Sequence, residues 1–237
     1  MTTSDRDSRF LIACTWCGPA FAVLFGAGFV LAGFLPPPSP NETAVQIAHF
    51  FNSDSMRAGT VIMMAGTPLI GVWGCALAGL TRRTEKGFPI LTLMQVACAA
   101  IVVLTIAIFV MLWAVASFRA GQIPAQTTRT LNDFAFFVFL FDWSPFCLWV
   151  ASFAVAIFRD QSPEPVFPRW AAYVNLWIVF LSIPGCLIVF FHHGPFAFNG
   201  FVSFYFPVVM FFVWLVVMTP LALKALRKST SEIAVGI

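Results

Sequence analysis

The sequence predicts an all-α, polytopic transmembrane helix bundle: six spans, both termini cytoplasmic, and a short interfacial helix in the first outer loop. Three observations predict it. Only 10% of the 237 residues are charged and 60% are apolar, whereas a soluble domain carries roughly 25% charged residues. Too few ionic groups exist to cover a water-facing surface, so lipid must solvate most of this one. Apolar residues also collect into six runs, approximately 10–35, 58–81, 88–117, 133–158, 170–191 and 200–223. Each is long enough, at ~1.5 Å per residue, to cross a hydrocarbon core about 30 Å thick. Finally, the basic residues are lopsided. With the amino terminus inside, Arg6, Arg9, Arg82, Arg83, Lys86, Arg159, Arg169, Lys224, Arg227 and Lys228 lie on the cytoplasmic side, against Arg57, Arg119 and Arg129 outside; positive charge favours the cytoplasm.

The first run starts at Phe10, behind Arg6 and Arg9, and reaches Leu35. Secretory apolar segments are about 7–15 residues long, so this one reads as a retained anchor. Ala22-x-x-x-Gly26 and Gly28-x-x-x-Ala32 permit close helix approach. Pro36-Pro37-Pro38 ends the run. Ser39-Pro40-Asn41-Glu42 then reads as a helix start, with Ser39 as N-cap and Glu42 as its capping-box partner. Ala44, Ile47, Ala48 and Phe51 follow at helical spacing and would lie on the outer surface. The second run is rich in small residues (Gly66, Gly71, Gly74, Cys75, Ala78, Gly79), again a packing signal. The third is long enough to tilt or protrude.

The fourth run carries Asp142 near its middle, with Pro145 on the next turn. A carboxylate at that depth costs about 2.5–3.5 kcal/mol on insertion scales, and no Lys or Arg lies within a span to pair with it. A proton, a hydrogen-bond partner on another helix, or a water-filled cavity would each relieve the cost. Pro145 removes a backbone bond and frees a carbonyl nearby. Asp133, nine residues earlier, falls on the opposite helical face and reads as a cap at the outer end. In the fifth run Asn175, Ser182, Cys186 and His193 share one helical line, which would face the bundle interior and bring His193 near Asp133 and Asn199 at the outer surface. Trp16, Trp113 and Trp170 fit an interfacial belt.

The second and third spans resemble the fourth and fifth. Thr67-Pro68 precedes Trp73 as Ser144-Pro145 precedes Trp149; Phe88-Pro89 and Phe167-Pro168 open the next helix; Gln95 and Asn175 follow. A parallel repeat of this kind occurs in some transporters, and chance similarity among Phe- and Trp-rich helices would look the same.

Several chemistries are excluded. The net charge of +3 is spread over loops and leaves no nucleic-acid footprint. All six Cys lie in apolar runs, which is not a secreted disulfide framework. Cys14-x-x-Cys17 has no second Cys/His pair to complete a metal set, and three His are too few for a membrane di-iron site. No phosphate-binding loop and no extramembrane segment of domain size is present. No cofactor is expected.

The stretches Leu131-Asn132-Asp133, Pro163-Glu164-Pro165-Val166-Phe167-Pro168-Arg169-Trp170, Asn175-Leu176-Trp177 and Phe190-Phe191 through Gly194-Pro195-Phe196-Ala197-Phe198-Asn199-Gly200 carry a resemblance. In them the chain resembles a family of six-span bacterial integral membrane proteins, common in actinobacteria. The resemblance implies a bacterial cytoplasmic membrane and supplies no catalytic residues. Three functions fit: a transporter or binding protein for a lipophilic or weakly polar small molecule, an accessory or scaffolding subunit of a membrane complex or a homo-oligomer, or a membrane-embedded enzyme acting on a lipid-like substrate. The candidate ligand-binding residues are Asp142, Asn175, Ser182, His193, Asp133 and Asn199.

Overall fold

The computed structural model describes residues 3–235, with side-chain surroundings for 8–228. Arg6, counted among the cytoplasmic cations, lies outside the described side chains. Among the described residues there are eight α-helices and no strand: α1 (Thr3–Leu31), α2 (Ala44–Phe51), α3 (Asp54–Thr81), α4 (Ile90–Phe118), α5 (Ala125–Phe141), α6 (Trp143–Arg159), α7 (Arg169–Ser182) and α8 (Phe206–Val235). They supply six segments long and apolar enough to cross a membrane, with α5 and α6 sharing the fourth. Consecutive spans pack on one another and α8 packs back on α1, closing a ring. Six crossings put both termini on one face, the terminal face. The proline-rich loop lies on the opposite, loop face.

The first span stops earlier than its hydropathy suggests. Gly33 adopts φ +83°, a left-handed conformation that costs glycine little. The Phe34 N–H then donates to Phe29 O (3.1 Å) and the Gly33 N–H to Val30 O (3.0 Å), the paired bonds of a Schellman ending. The Phe29 and Phe34 rings meet at 5.1 Å across it.

The short helix begins later than expected. Ser39 N–H does donate to Glu42 Oε1 (2.8 Å), but that bond closes a turn. The helix starts after Thr43, whose Oγ1 accepts from Gln46 N–H while Gln46 Oε1 accepts from Thr43 N–H (2.8 Å). Two capping-box signals stood four residues apart, and the second adjoins the apolar stripe; Ile47 and Phe51 are buried.

Packing of α1 on α3 rests on Gly28 and Gly59. A Cβ on Gly28 would lie 2.7 Å from Gly59 O, and one on Gly59 would lie 2.7 Å from the Ala32 Cβ. Gly26 and Gly79, by contrast, have nothing within 4 Å. Not every small residue in the pattern marks a helix contact. Trp113 does not face outward as a belt residue would: it is buried against Phe34 at 4.0 Å. Trp16 and Trp170 are each 52% exposed, as a belt requires.

The fourth span begins at Ala125, eight residues before Asp133. Asp133 therefore sits inside α5 and caps nothing. It lies one turn from Arg129, close to His192, and Arg129 donates to Pro40 O (2.9 Å), tying α5 to the proline-rich loop. The apolar run misplaced the start because Gln126 to Asn132 is polar yet helical. The span then breaks at Asp142, between α5 and α6. Pro145 has no N–H for the Phe141 carbonyl, so the i to i+4 ladder is interrupted there.

The fifth span breaks as well. Pro184 supplies no N–H to Phe180 O, and after Ser182 the chain continues as a 3₁₀ segment, Ile183–Val189. The predicted polar line through Cys186 to His193 therefore does not form: its 100° spacing ends at Ser182. The two breaks abut. A Cβ on Gly185 would be 2.8 Å from Leu140 O, so only glycine lets these backbones touch. A third irregularity, the π-turn Phe201–Tyr205 ahead of Pro207, joins them through Ser203 Oγ, which donates to Pro184 O (3.0 Å).

On the terminal face the two hairpins echo each other. Glu85 accepts from the N–H groups of Leu91 (2.9 Å) and Thr92 (3.0 Å) and from Thr92 Oγ1 (2.6 Å), capping α4 where Pro89 has no side-chain acceptor. Partial burial pushes the Glu85 carboxyl up, but these bonds and Arg82 outweigh it and hold the group below its ordinary value. Asp160 serves the second hairpin, accepting from Val166 N–H (2.8 Å) and from Ser162 N–H (3.0 Å) and Oγ (2.6 Å). The Trp73 and Trp149 rings, at matching places in the two units, meet edge to face at 6.2 Å.

Candidate functional site

Residues beside all three helix breaks, Asp142, Ser182 and Pro207, line a cavity of about 280 Å³ inside the ring. Eight phenylalanines line it: Phe21, Phe25 and Phe29 from α1, Phe109 from α4, Phe139 and Phe146 from the fourth span, and Phe211 and Phe212 from α8. These rings pack on one another, Phe21 stacked on Phe25 at 5.2 Å and Phe25 edge to face with Phe109 at 6.1 Å. Such contacts keep a large apolar surface in defined positions. Gly26 leaves a recess in the α1 wall, and the rim includes Val30 and Leu35, which are 60% and 53% exposed. The cavity thus reaches the perimeter of the bundle beside α1.

Three polar side chains line it: Thr105, Asp142 and Ser182. Asp142 stands midway along the 35-residue crossing Ala125–Arg159. Its Oδ2 accepts from Thr105 Oγ1 at 2.6 Å. The break itself helps, because α6 begins at the next residue and its N-terminal dipole favours negative charge there. Thr105 is equipped for either protonation state. It donates to an ionised carboxylate; facing a protonated one, its oxygen accepts and its own hydrogen turns to Val102 O (3.0 Å) or Ile101 O (3.1 Å). The pair can therefore offer an acceptor or a donor to a guest. Ser182 Oγ is spent on Ile178 O (2.7 Å).

Below the cavity, on the terminal side, Phe146 meets Trp214 at 5.7 Å. Trp214 packs edge to face on Trp149 (4.9 Å) and Trp73 (5.0 Å). All three tryptophans are fully buried. Trp73 Nε1 donates to Thr219 Oγ1 (3.0 Å) and Trp214 Nε1 to Asn175 Oδ1 (2.9 Å). This trio plugs the terminal half of the ring.

The candidate residues consequently separate. Asp142 and Ser182 line the cavity together. Asn175 lies beneath it and is committed to the plug: its amide nitrogen donates to Ala171 O (2.7 Å) and contacts Met218 Sδ (3.6 Å). His193 is exposed on the loop face, where Asn41 Nδ2 approaches its Nδ1 at 2.7 Å and donates to His192 O at 3.0 Å. Asp133 and Asn199 do not line the cavity. Thr105 was not among the candidates, although it is the one hydroxyl in the otherwise apolar stretch 96–116. Gly26 was read as a packing residue and instead shapes the wall. Among the described residues no group of three His, Cys, Asp or Glu side chains is placed to hold a metal ion, and the described cysteines are free.

No family model, curated protein or solved structure matches the chain.

Proposed function

We propose that this chain binds a lipophilic small molecule bearing one hydrogen-bonding group, held in the aromatic cavity with that group against Asp142 and Thr105. One observation carries the reading: the mid-membrane carboxylate opens onto an apolar cavity and has a hydroxyl, not a cation, as its partner. A buried ionisable group in a span is a functional candidate by default, and ligand pockets combine apolar walls with few polar anchors. An enzyme is disfavoured, because no second acid or base lines the cavity beside Asp142, and the hydroxyls of Ser182 and Thr105 have no base beside them other than Asp142 on Thr105.

The ligand enters from the lipid beside Val30 and Leu35. If the protein also transports, the tryptophan plug must open on the other side, so binding and flux are separable. The chain is read as a multi-pass protein of a bacterial cytoplasmic membrane, with its terminal face inside.

The test uses purified protein and a panel of small phenols, alcohols and amines, scored by thermal stabilisation. A ligand at 100 times its Kd stabilises by about 2.7 kcal/mol. Gly26→Leu, which fills a recess with nothing within 4 Å, should abolish that response while preserving the fold. Asp142→Asn should alter the preference between donor and acceptor ligands. Stabilisation that survives both changes would exclude this cavity as the site. Flux of the same ligands into proteoliposomes then separates transport from binding alone.

A further inference from the structure

A second concavity lies between α1 and α8 on the outside of the ring, in the terminal half. Its walls are Trp16, Pro19, Ala22 and Val23 on one side and Leu215, Val216, Thr219, Pro220 and Leu223 on the other, and its end is formed by Lys224, Arg227 and Lys228. We propose that this groove holds an anionic phospholipid, its phosphate on the cations and an acyl chain along the apolar floor.

The α8 residues at 216, 220, 224 and 227–228 follow i, i+4 spacing, so they form one stripe. The stripe is apolar for its first half and basic for its last turn. From Val216 to Arg227 it runs about 16 Å at ~1.5 Å per residue, enough for a headgroup at one end and much of a chain below it. Pro19 and Pro220 lie on opposite walls. Lys228 is paired with Glu164. Lys224 and Arg227 are exposed and have no acidic partner among the described residues. The half-exposed Trp16 marks the depth as interfacial. Basic pockets between spans at a membrane surface suit anionic headgroups. A cation that merely obeyed the topological charge bias would need no groove beneath it. Here both unpaired cations close the end of one.

The test is native mass spectrometry of the full chain, counting retained phosphatidylglycerol against phosphatidylcholine. Each cation near an anionic surface contributes about fivefold, so Lys224→Gln with Arg227→Gln should weaken phosphatidylglycerol retention roughly 25-fold and leave phosphatidylcholine unchanged. Ala22→Trp with Val216→Trp fills the floor without touching the charges and should weaken it comparably. Arg82→Gln with Arg83→Gln removes two cations from the same face and should have no effect. Retention that falls equally in the Arg82/Arg83 variant, or that ignores the filled floor, would reduce the effect to general surface charge and overturn the proposal. So would full displacement by inorganic phosphate, which needs no acyl chain. Circular dichroism and size-exclusion profiles matching the parent protein show that the variants are folded. The inference does not depend on the inner cavity.

Discussion

Gly26 and Gly28 stand two residues apart on α1, and substituting each by Ala should move stability in opposite directions. At Gly28 the new methyl would sit 2.7 Å from Gly59 O, 2.8 Å from Met63 Cγ and 2.9 Å from Met63 N. The methionine side chain can swing away, but the two backbone atoms can yield only if α1 and α3 separate. Overpacking of that kind costs about 1–3 kcal/mol, set against roughly 1 kcal/mol gained by replacing glycine within a helix. The net is a loss of up to about 2 kcal/mol. At Gly26 no atom lies within 4 Å, so only the helix term operates and Gly26→Ala should stabilise by up to about 1 kcal/mol. Thermal unfolding in detergent, followed by circular dichroism, reads both variants against the parent. Equal shifts, or a more stable Gly28→Ala protein, would refute the close approach of α1 and α3 and the recess at Gly26.

Asn175→Leu should cost about 1–3 kcal/mol, since it leaves the buried Trp214 N–H without an acceptor; in a Trp214→Phe background the cost should shrink by about 0.6–1.7 kcal/mol, measured as a double-mutant cycle. Thr105→Val should destabilise the parent protein by about 1 kcal/mol and the Asp142→Leu protein by less, because the hydroxyl's partner across the cavity is then gone. For Glu85 the folded-state value is lowered, so its contribution is complete above the ordinary glutamate value and disappears as pH falls through the lowered one. Thermal stability should therefore decline in acid below about pH 4.5, and Glu85→Gln should flatten that decline while costing about 1 kcal/mol at neutral pH through a weaker cap.

The six crossings were legible because desolvating charge dominates every other energy in a chain with so few ionic groups. Interruptions within the crossings were harder to read. Hydropathy treats 133–158 as continuous, yet Pro145 breaks the ladder at Asp142. It also omits Ala125 to Asn132, which is polar but helical. The fifth span shows the same limit: Asn175 and Ser182 obey the 100° wheel, and Pro184 ends the wheel's authority, so His193 lies in a loop. Asp142 was visible from its cost alone. Its partner Thr105 was not, because pairing across 37 residues depends on which helices are neighbours. Among small residues, sequence could not separate Gly28, which lets a neighbouring helix in, from Gly26, which leaves room for something else.

Whether the aromatic cavity holds a ligand can be read from a density map of the protein in lipid nanodiscs. Extra, non-protein density is expected among Phe25, Phe109 and Phe211, reaching Thr105 and Asp142, once a stabilising phenol, alcohol or amine is added. A cavity filled by its own aromatic side chains, with Asp142 sealed against protein on every side, would contradict that expectation.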